Sequence, residues 1–248
     1  ETGGAGVEMV AENDIIENIA AVKDQSEIDA LQTAVDITDR VFDLILPEIK
    51  VGVTEKHIAA RISYLFKQEG GDGDSYDPII ASGANGALPH ATPSDNEVKH
   101  GDFIVMDFGS LYKGYHADMT RTIVVGEASD KHKEIYNIVL ESQLAGIAYG
   151  KSGVKCSDLD KACRDVIDSK GYGELFMHGT GHGLGLEVHT LPRISSVNHA
   201  LLEENNVITI EPGIYIAGWG GVRIEDDCWI QKTKCIPLNR STKEMLIL

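Results

Sequence analysis

The stretch Phe103 to Val125, FIVMDFGSLYKGYHADMTRTIVV, constrains the fold of this chain more than any other. Two runs of apolar and β-branched residues flank a polar tip, Lys113-Gly114, where the glycine accepts the positive φ that a tight two-residue hairpin turn demands. With Tyr112 facing Tyr115 across that turn, Asp107 falls opposite Thr120, and Asp118 lies one diagonal step away on the same face. Asp is depleted inside strands and costly to bury. Two carboxylates in the middle of an apolar hairpin therefore need a positive partner, of which a divalent metal is the simplest, unless both face solvent or cap turns.

Charge narrows the range of partners. Against 22 Lys and Arg stand 39 Asp and Glu, a net charge of −17 over 248 residues, which argues against nucleic acid or an anionic membrane. No apolar run approaches the roughly 18 residues of a membrane span, and no signal segment opens the chain, so a soluble, cytoplasmic protein is expected. Glu1-Thr-Gly-Gly has no initiator Met and is set aside as a processed or added end. The four cysteines, Cys156, Cys163, Cys228 and Cys235, contain no C-x-x-C pair and read as reduced, packed residues.

Helical periodicity runs from Ser26 through Ile28, Leu31, Val35, Val41 and Ile45, with Ser26 and Asp29 resembling a capping box and Pro47 stopping the run. A second helix starts at Thr54 as N-cap and ends at Gly70-Gly71. Asp72-Gly73-Asp74 lacks the later glycine and glutamate of a calcium loop and reads as a solvated turn. Pro78 to Ala81 is a short strand, followed by a loop that leads to Leu88-Pro89-His90. After the hairpin, Asp130 opens a third helix that reaches Gly150, and Ser157 with Asp160 caps a fourth that ends at Gly171. The rest is glycine-rich and β-like. The chain thus reads as α+β, in two similar halves joined near Gly126 around a shared sheet, although length alone also permits two separate domains.

Glu211 interrupts the strand Val207 to Ile210, and Glu225 interrupts Val222 to Ile224, with Gly218-Trp-Gly-Gly221 between them. An odd-length turn or a bulge would put both glutamates on one face, whereas a plain two-residue turn would not. Four acids and a histidine from the intervening glycine-rich stretch suit two adjacent Mn²⁺, Co²⁺, Fe²⁺ or Zn²⁺ ions better than a structural zinc, which prefers thiolates. His178 and His182 are four apart, but Gly179, Gly181, Gly183 and Gly185 make a zincin-like helix improbable. No G-x-S-x-G is present, and the glycine-rich stretch lacks the Lys-Ser/Thr end of a phosphate loop.

Several separate motifs carry a resemblance: Ala87-Leu-Pro-His90, Met106-Asp-Phe-Gly109, Ala117-Asp-Met-Thr-Arg-Thr122, His178-Gly-Thr-Gly-His-Gly-Leu-Gly185, Glu187-Val-His189, Thr209-Ile-Glu-Pro-Gly213 and Val222-Arg-Ile-Glu-Asp226. Their order resembles the catalytic domain of the Xaa-Pro peptidases, aminopeptidase P and prolidase, in the pita-bread superfamily with methionine aminopeptidase and creatinase. The resemblance covers residues 19–248 and leaves 1–18 as a remnant of, or linker to, an N-terminal domain. It implies two pseudo-symmetric halves of helices packed on a curved, mostly antiparallel sheet. Asp107, Asp118, His182, Glu211 and Glu225 would hold two divalent ions, with Mn²⁺ the first choice and Co²⁺, Zn²⁺ or Fe²⁺ the others. By the same resemblance His90, His189, Glu211 and Arg223 would be catalytic, and His178 and Tyr215 would line the substrate site. Taken singly, His178 and Tyr215 read as structural residues. The implied partners are peptides with proline second, without nucleic acid or membrane, and the implied assembly is a homodimer. Xaa-Pro aminopeptidase is the first reading of the activity, Xaa-Pro dipeptidase the second, and an inactive peptide-binding module the third. Thr190 stands where relatives place an acidic residue after the V-H motif. That departure favours the third reading, while the intact set of five ligands opposes it.

Overall fold

We describe the fold from a computed structural model, which covers residues 11–248. The helices are α1 (Ile15–Ala21), α2 (Gln25–Ile45), α3 (Glu55–Gln68), α4 (Asp130–Tyr149) and α5 (Cys156–Ser169). The strands of the first half are β1 (Gly73–Asp74), β2 (Ile79–Ser82), β3 (Phe103–Phe108), β4 (Ser110–Tyr112), β5 (Tyr115–His116) and β6 (Met119–Val124). Those of the second are β7 (Gly181–Gly183), β8 (Thr190–Ile194), β9 (Val207–Ile210), β10 (Gly213–Ile216), β11 (Gly220–Arg223), β12 (Asp226–Ile230) and β13 (Cys235–Pro237).

Local chemistry sets the helix ends. The capping box of α2 is Asp24 with Glu27, two residues before the expected position, because the Ser26 hydroxyl instead donates to Asp24 Oδ1 at 2.7 Å. Thr54 caps α3 as expected, and Ser129, the residue before Asp130, caps α4. Helix α5 starts with no side-chain cap, and Ser157 and Asp160 do other work: Ser157 bonds the ring of His199, while Asp160 turns inward, 0% exposed. Helix α1 overlaps the expected lead-in 1–18, of which residues 1–10 lie outside the described residues. It is tied to the second half where Lys23 N donates to Asn205 O at 3.0 Å.

Each half buries two helices against its own strands. In the first, Val41 and Phe42 of α2 and Ile58, Ile62 and Phe66 of α3 pack on Ile104, Met106, Phe108 and Ile123. In the second, Ile135 and Val139 of α4 and Leu159 and Cys163 of α5 pack on Ile208, Ile210, Ile214, Val222 and Ile224. Burying each such large side chain contributes about 1.5–3 kcal/mol, so each half has a substantial core of its own. All four cysteines are free and buried.

The strand order is β2-β3-β6 in the first half and β13-β12-β9-β7-β8 in the second, with smaller sets β1-β4-β5 and β10-β11, all pairs antiparallel. The central register is the expected one: Tyr112 faces Tyr115, Asp107 faces Thr120, and Lys113 and Gly114 turn with φ of 51° and 82°. The Asp72-Gly73-Asp74 turn is more structured than its composition suggests, since Gly73 and Asp74 pair with Leu111 and Ser110. In the second half Ile210 faces Asp226, Gly213 faces Arg223, and Ile216 faces Gly220 across a three-residue turn. That odd-length turn sets Glu211 opposite Glu225 on one face. No single continuous ladder joins the halves. Glu225 N donates to Thr120 O at 3.1 Å, and the Thr122 hydroxyl donates to Arg223 O at 2.9 Å while accepting from Arg223 N at 3.2 Å.

Gly109 marks the point where the hairpin leaves one sheet for the next. A Cβ there would lie 1.7 Å from the carbonyl oxygen of Ala117, a backbone atom that cannot rotate away. Gly109→Ala should therefore destabilise the protein by about 1–3 kcal/mol or more, as overpacking does. Denaturant unfolding measures this, and a midpoint equal to the parent's would show that the chain crossing is looser than described.

Candidate metal centre

The five expected ligands come from two strands and from three breaks between strands. Asp107 sits near the end of β3, Asp118 in the residue pair between β5 and β6, His182 in the middle of β7, and Glu211 and Glu225 face each other where β9 gives way to β10 and β11 to β12. All five line one cavity of about 340 Å³, together with Tyr76, His90, His178, His189, Arg193 and Arg223. His182 Nε2 stands 3.6 Å from Asp118 Oδ2 and 3.4 Å from Glu211 Oε1. Ligand atoms of Asp118, His182 and Glu225 all fall within 4.8 Å of one another.

Three observations show that this set fits divalent cations. The Nδ1 of His182 lies 3.1 Å from Gly183 O and must donate to it, so the unprotonated Nε2 points its lone pair at two carboxylates. Burial holds the His182 pKa below its ordinary value, which keeps that nitrogen a neutral ligand. Glu225 Oε1 is buried with no hydrogen-bond partner, while its other oxygen accepts from the Thr120 hydroxyl at 2.5 Å. Burial, then neighbouring carboxylates, push Asp118 and Glu225 well above the usual carboxylate range, and burial raises Glu211 as well. Hard oxygen donors with one imidazole nitrogen match Mn²⁺, Fe²⁺, Co²⁺ or Zn²⁺, and divalent charge is what would let all four acids ionise together.

Around these residues the site is held by direct hydrogen bonds. Arg223, 3% exposed, donates through Nη2 to Asp107 Oδ2 at 2.5 Å, through Nε to Thr120 Oγ1 at 2.9 Å, and through Nη1 to Tyr215 Oη at 2.8 Å and Pro89 O at 3.2 Å. Its donors are almost all spent on the protein, so it orients a carboxylate and the loop carrying His90. Tyr215 does not line the cavity. It is 2% exposed, buried behind Arg223 and His178, and bonds His178 Nε2 at 2.8 Å. Because His178 Nδ1 must donate to Gly179 O at 2.8 Å, Tyr215 is the donor in that bond, and the expected substrate contact becomes a brace.

His90 and His189 both face the cavity. The His189 ring lies 4.3 Å from that of His182, centroid to centroid, and burial followed by the neighbouring His182 and Arg193 push its pKa down to about 4. It is therefore neutral at physiological pH. Thr190 does not orient it, since its hydroxyl donates to Leu191 O at 3.2 Å.

Two cavity residues escaped the sequence reading. The Tyr76 hydroxyl reaches both Asp107 Oδ1 and Asp118 Oδ1, filling the gap between the two hairpin acids. Arg193 is exposed at the rim and makes no ion pair among the described residues. Tyr76 lies in a loop with no periodicity. Arg193 stands four residues past His189, at a spacing that means nothing until β8 turns it towards the cavity.

Asp118, Glu211 and Glu225 have folded-state pKa values above their unfolded ones, so without metal the folded state holds more protons. The metal-free protein should accordingly lose stability as pH rises from the ordinary carboxyl range towards neutrality. Asp118→Asn removes one repelling charge, so at neutral pH it should be neutral or stabilising without metal while abolishing most of the rise in Tm that divalent metal produces. Thermal unfolding with and without Mn²⁺ checks both, and a variant keeping the full metal-induced rise would show that Asp118 is not a ligand.

The family model for metallopeptidase family M24 matches residues 29–232. The Xaa-Pro dipeptidase of Pyrococcus furiosus is 43% identical over 234 residues, 94% of this chain and 67% of that protein. Among solved structures, the Xaa-Pro dipeptidase of Bacillus anthracis superposes with a TM-score of 0.94 at 45% identity, covering 96% of this chain and 67% of the other. The X-Pro aminopeptidase of Thermotoga maritima does so with a TM-score of 0.94 at 43% identity and the same coverage. The chain thus spans about two thirds of the length of these proteins, the part in which the paired hairpins and their acids lie. With the pita-bread fold in place and a metallopeptidase signature running through both halves, this chain belongs to metallopeptidase family M24.

Proposed function

We propose that the protein is a metal-dependent Xaa-Pro dipeptidase, acting on the bond between any residue and a C-terminal proline. This favours the second activity read from the sequence over the first, release of one residue from longer peptides. The observation that carries it is Arg193, an exposed, unpaired cation at the rim of a cavity of only about 340 Å³, near the small end for ligand sites. A guanidinium there suits the free carboxylate of a dipeptide's proline, a group that a longer peptide places elsewhere. The dipeptidase names of the Pyrococcus and Bacillus relatives support the same reading.

Asp107, Asp118, His182, Glu211 and Glu225 would hold two divalent ions, Mn²⁺ first by the chemistry of the donors. Such ions supply a water acidified towards neutral pH and polarise the scissile carbonyl. Glu211, beside His182 and raised by burial, takes the proton of the attacking water. His90, held at the cavity wall by the bond from Arg223 to Pro89 O, hands a proton to the leaving proline nitrogen. His189, neutral at pH 7, donates a hydrogen bond to the substrate carbonyl. The walls formed by Ile79, Pro89 and Ile194 exclude water from one side of the proline ring.

Purified protein with Mn²⁺ should cleave an Xaa-Pro dipeptide much faster than the same sequence extended by one residue, and a chelator should abolish the reaction. A faster tripeptide would restore the aminopeptidase reading, and no cleavage under any divalent metal would leave a binding module. Arg193→Ala should raise KM for the dipeptide roughly tenfold with kcat changed far less, the signature of lost uniform binding. Steady-state kinetics on both substrates decide this, and an unchanged dipeptide KM would remove Arg193 from the site.

A further inference from the structure

The buried carboxylate of Glu55 belongs to no part of the chemistry described above, yet it is among the most heavily bonded groups in the molecule. It is the first residue of α3 and is 0% exposed. Oε1 accepts from Ser82 N at 2.7 Å, Ser82 Oγ at 2.9 Å and Asn85 Nδ2 at 3.1 Å. Oε2 accepts from Ser94 N at 3.0 Å, Ser94 Oγ at 2.7 Å and Asn85 Nδ2 at 3.2 Å. Asn96 Nδ2 lies 3.5 Å from Oε1 and bonds Ser82 Oγ at 2.9 Å. Every donor comes from residues 82–96, and every one is neutral.

The return contacts run the other way. The first backbone N–H groups of α3, those of Glu55 and Lys56, donate to Asn96 O and Ser94 O at 3.1 Å each. Helix start and loop are therefore knitted together reciprocally, with both ends of the loop pinned to one side chain. At the middle of that pinned span stand Pro89, whose carbonyl accepts from Arg223, and His90, which faces the cavity. Burial pushes the Glu55 carboxyl up, but the bonds from Ser82, Ser94 and Asn85 outweigh it and hold it below its ordinary value, so it is ionised at neutral pH. The contrast with the second half is instructive. There Asp160 grips Thr180 N and Oγ1 at 3.0 and 2.9 Å, but Arg164 neutralises it through two bonds of 3.0 Å. Among the described residues Glu55 has no such cation, and the groups that balance its charge are dipoles whose positions set the path of the loop.

We infer that Glu55 is a positioning residue for His90: its charge fixes the two ends of the 82–96 loop and, together with the anchor from Arg223, sets where the His90 ring stands over the reacting bond. This rests on the Xaa-Pro peptidase reading for its kinetic consequence, though not for its structural one. Glu55→Gln replaces one acceptor oxygen with an NH₂ that faces donors, so the loop must shift. A displacement of about 1 Å can cost on the order of 100-fold in rate.

The test is a double-mutant cycle on the manganese-loaded protein with an Xaa-Pro dipeptide, combining Glu55→Gln with His90→Ala, alongside metal analysis and ¹H NMR of the histidine Cε1 protons in the metal-free protein. Glu55→Gln alone should lower kcat roughly 10- to 100-fold with KM and bound metal near the parent's. In the His90→Ala background the same change should lower kcat by less than about threefold, because the group it positions is gone. The His90 resonance should move in Glu55→Gln, while that of His199, on the other half, stays put. Equal losses in both backgrounds, or an unmoved His90 line, would overturn the inference and leave Glu55 a structural brace. Ser94→Ala removes a single hydroxyl donor and serves if Glu55→Gln does not fold; it should show a smaller kcat loss of the same pattern, and additivity there overturns the inference equally. A parent that cleaves no Xaa-Pro substrate would refute the proposed function, while the NMR comparison would still decide the role of Glu55.

Discussion

Four carboxylates facing one another in a buried cavity are the constraint around which the rest of the structure is arranged. Burial alone penalises each charge, and proximity penalises each again, so nothing in the protein's own covalent chemistry makes the cluster stable at neutral pH. The surroundings answer in kind. Arg223 pairs with Asp107, the Thr120 hydroxyl donates to Glu225, and the Asp118 backbone N–H is held by Asp227 Oδ2 at 2.9 Å. These contacts place the acids without neutralising them all. The remaining imbalance gives the site its appetite for divalent cations.

Much of this arrangement could be read from residues alone because it depends on periods and turn lengths. A two-residue turn at Lys113-Gly114 dictates that Asp107 meets Thr120, whereas the sequence leaves the length of the second turn open, and the structure makes it the three residues Ala217-Gly218-Trp219 that bring Glu211 to Glu225. Helices α2 to α5 announce themselves by apolar spacing, but the caps do not all follow: Asp24 replaces Ser26 at α2, Ser129 precedes Asp130 at α4, and α5 starts with no side-chain cap. What could not be read depends on contacts between segments far apart in sequence. Tyr76 joins the centre only because a loop folds over the hairpin, and Tyr215 is kept from the cavity only because Arg223 and His178 lie in front of it. A side chain's face follows from period, but its depth behind other side chains does not.

The two halves also divide the work differently than a simple pseudo-symmetry suggests. Each presents a carboxylate-bearing hairpin and a histidine-bearing loop gripped by a buried acid of a helix. In the second half that acid is paired with Arg164, which also donates to the carbonyls of Phe176 and His178, giving a rigid frame for the glycine-rich ligand segment. In the first half the acid holds neutral donors, and the loop it holds carries the histidine assigned to proton transfer.

The joint between halves, where Thr122 exchanges bonds with Arg223 and Thr120 with Glu225, has a consequence for how the protein is made and lost. The five donors are spread from Asp107 to Glu225, and neither half holds more than three of them. A ribosome must deliver nearly the whole of that span before a complete centre can exist, so a metal held by all five residues would load late in synthesis rather than guide its early stages. The same geometry works in reverse during unfolding. Once the threonine-mediated joint opens, each half keeps its own hydrophobic core but at most three of the five residues, so ions held by all five would lose their complete shell as the halves separate.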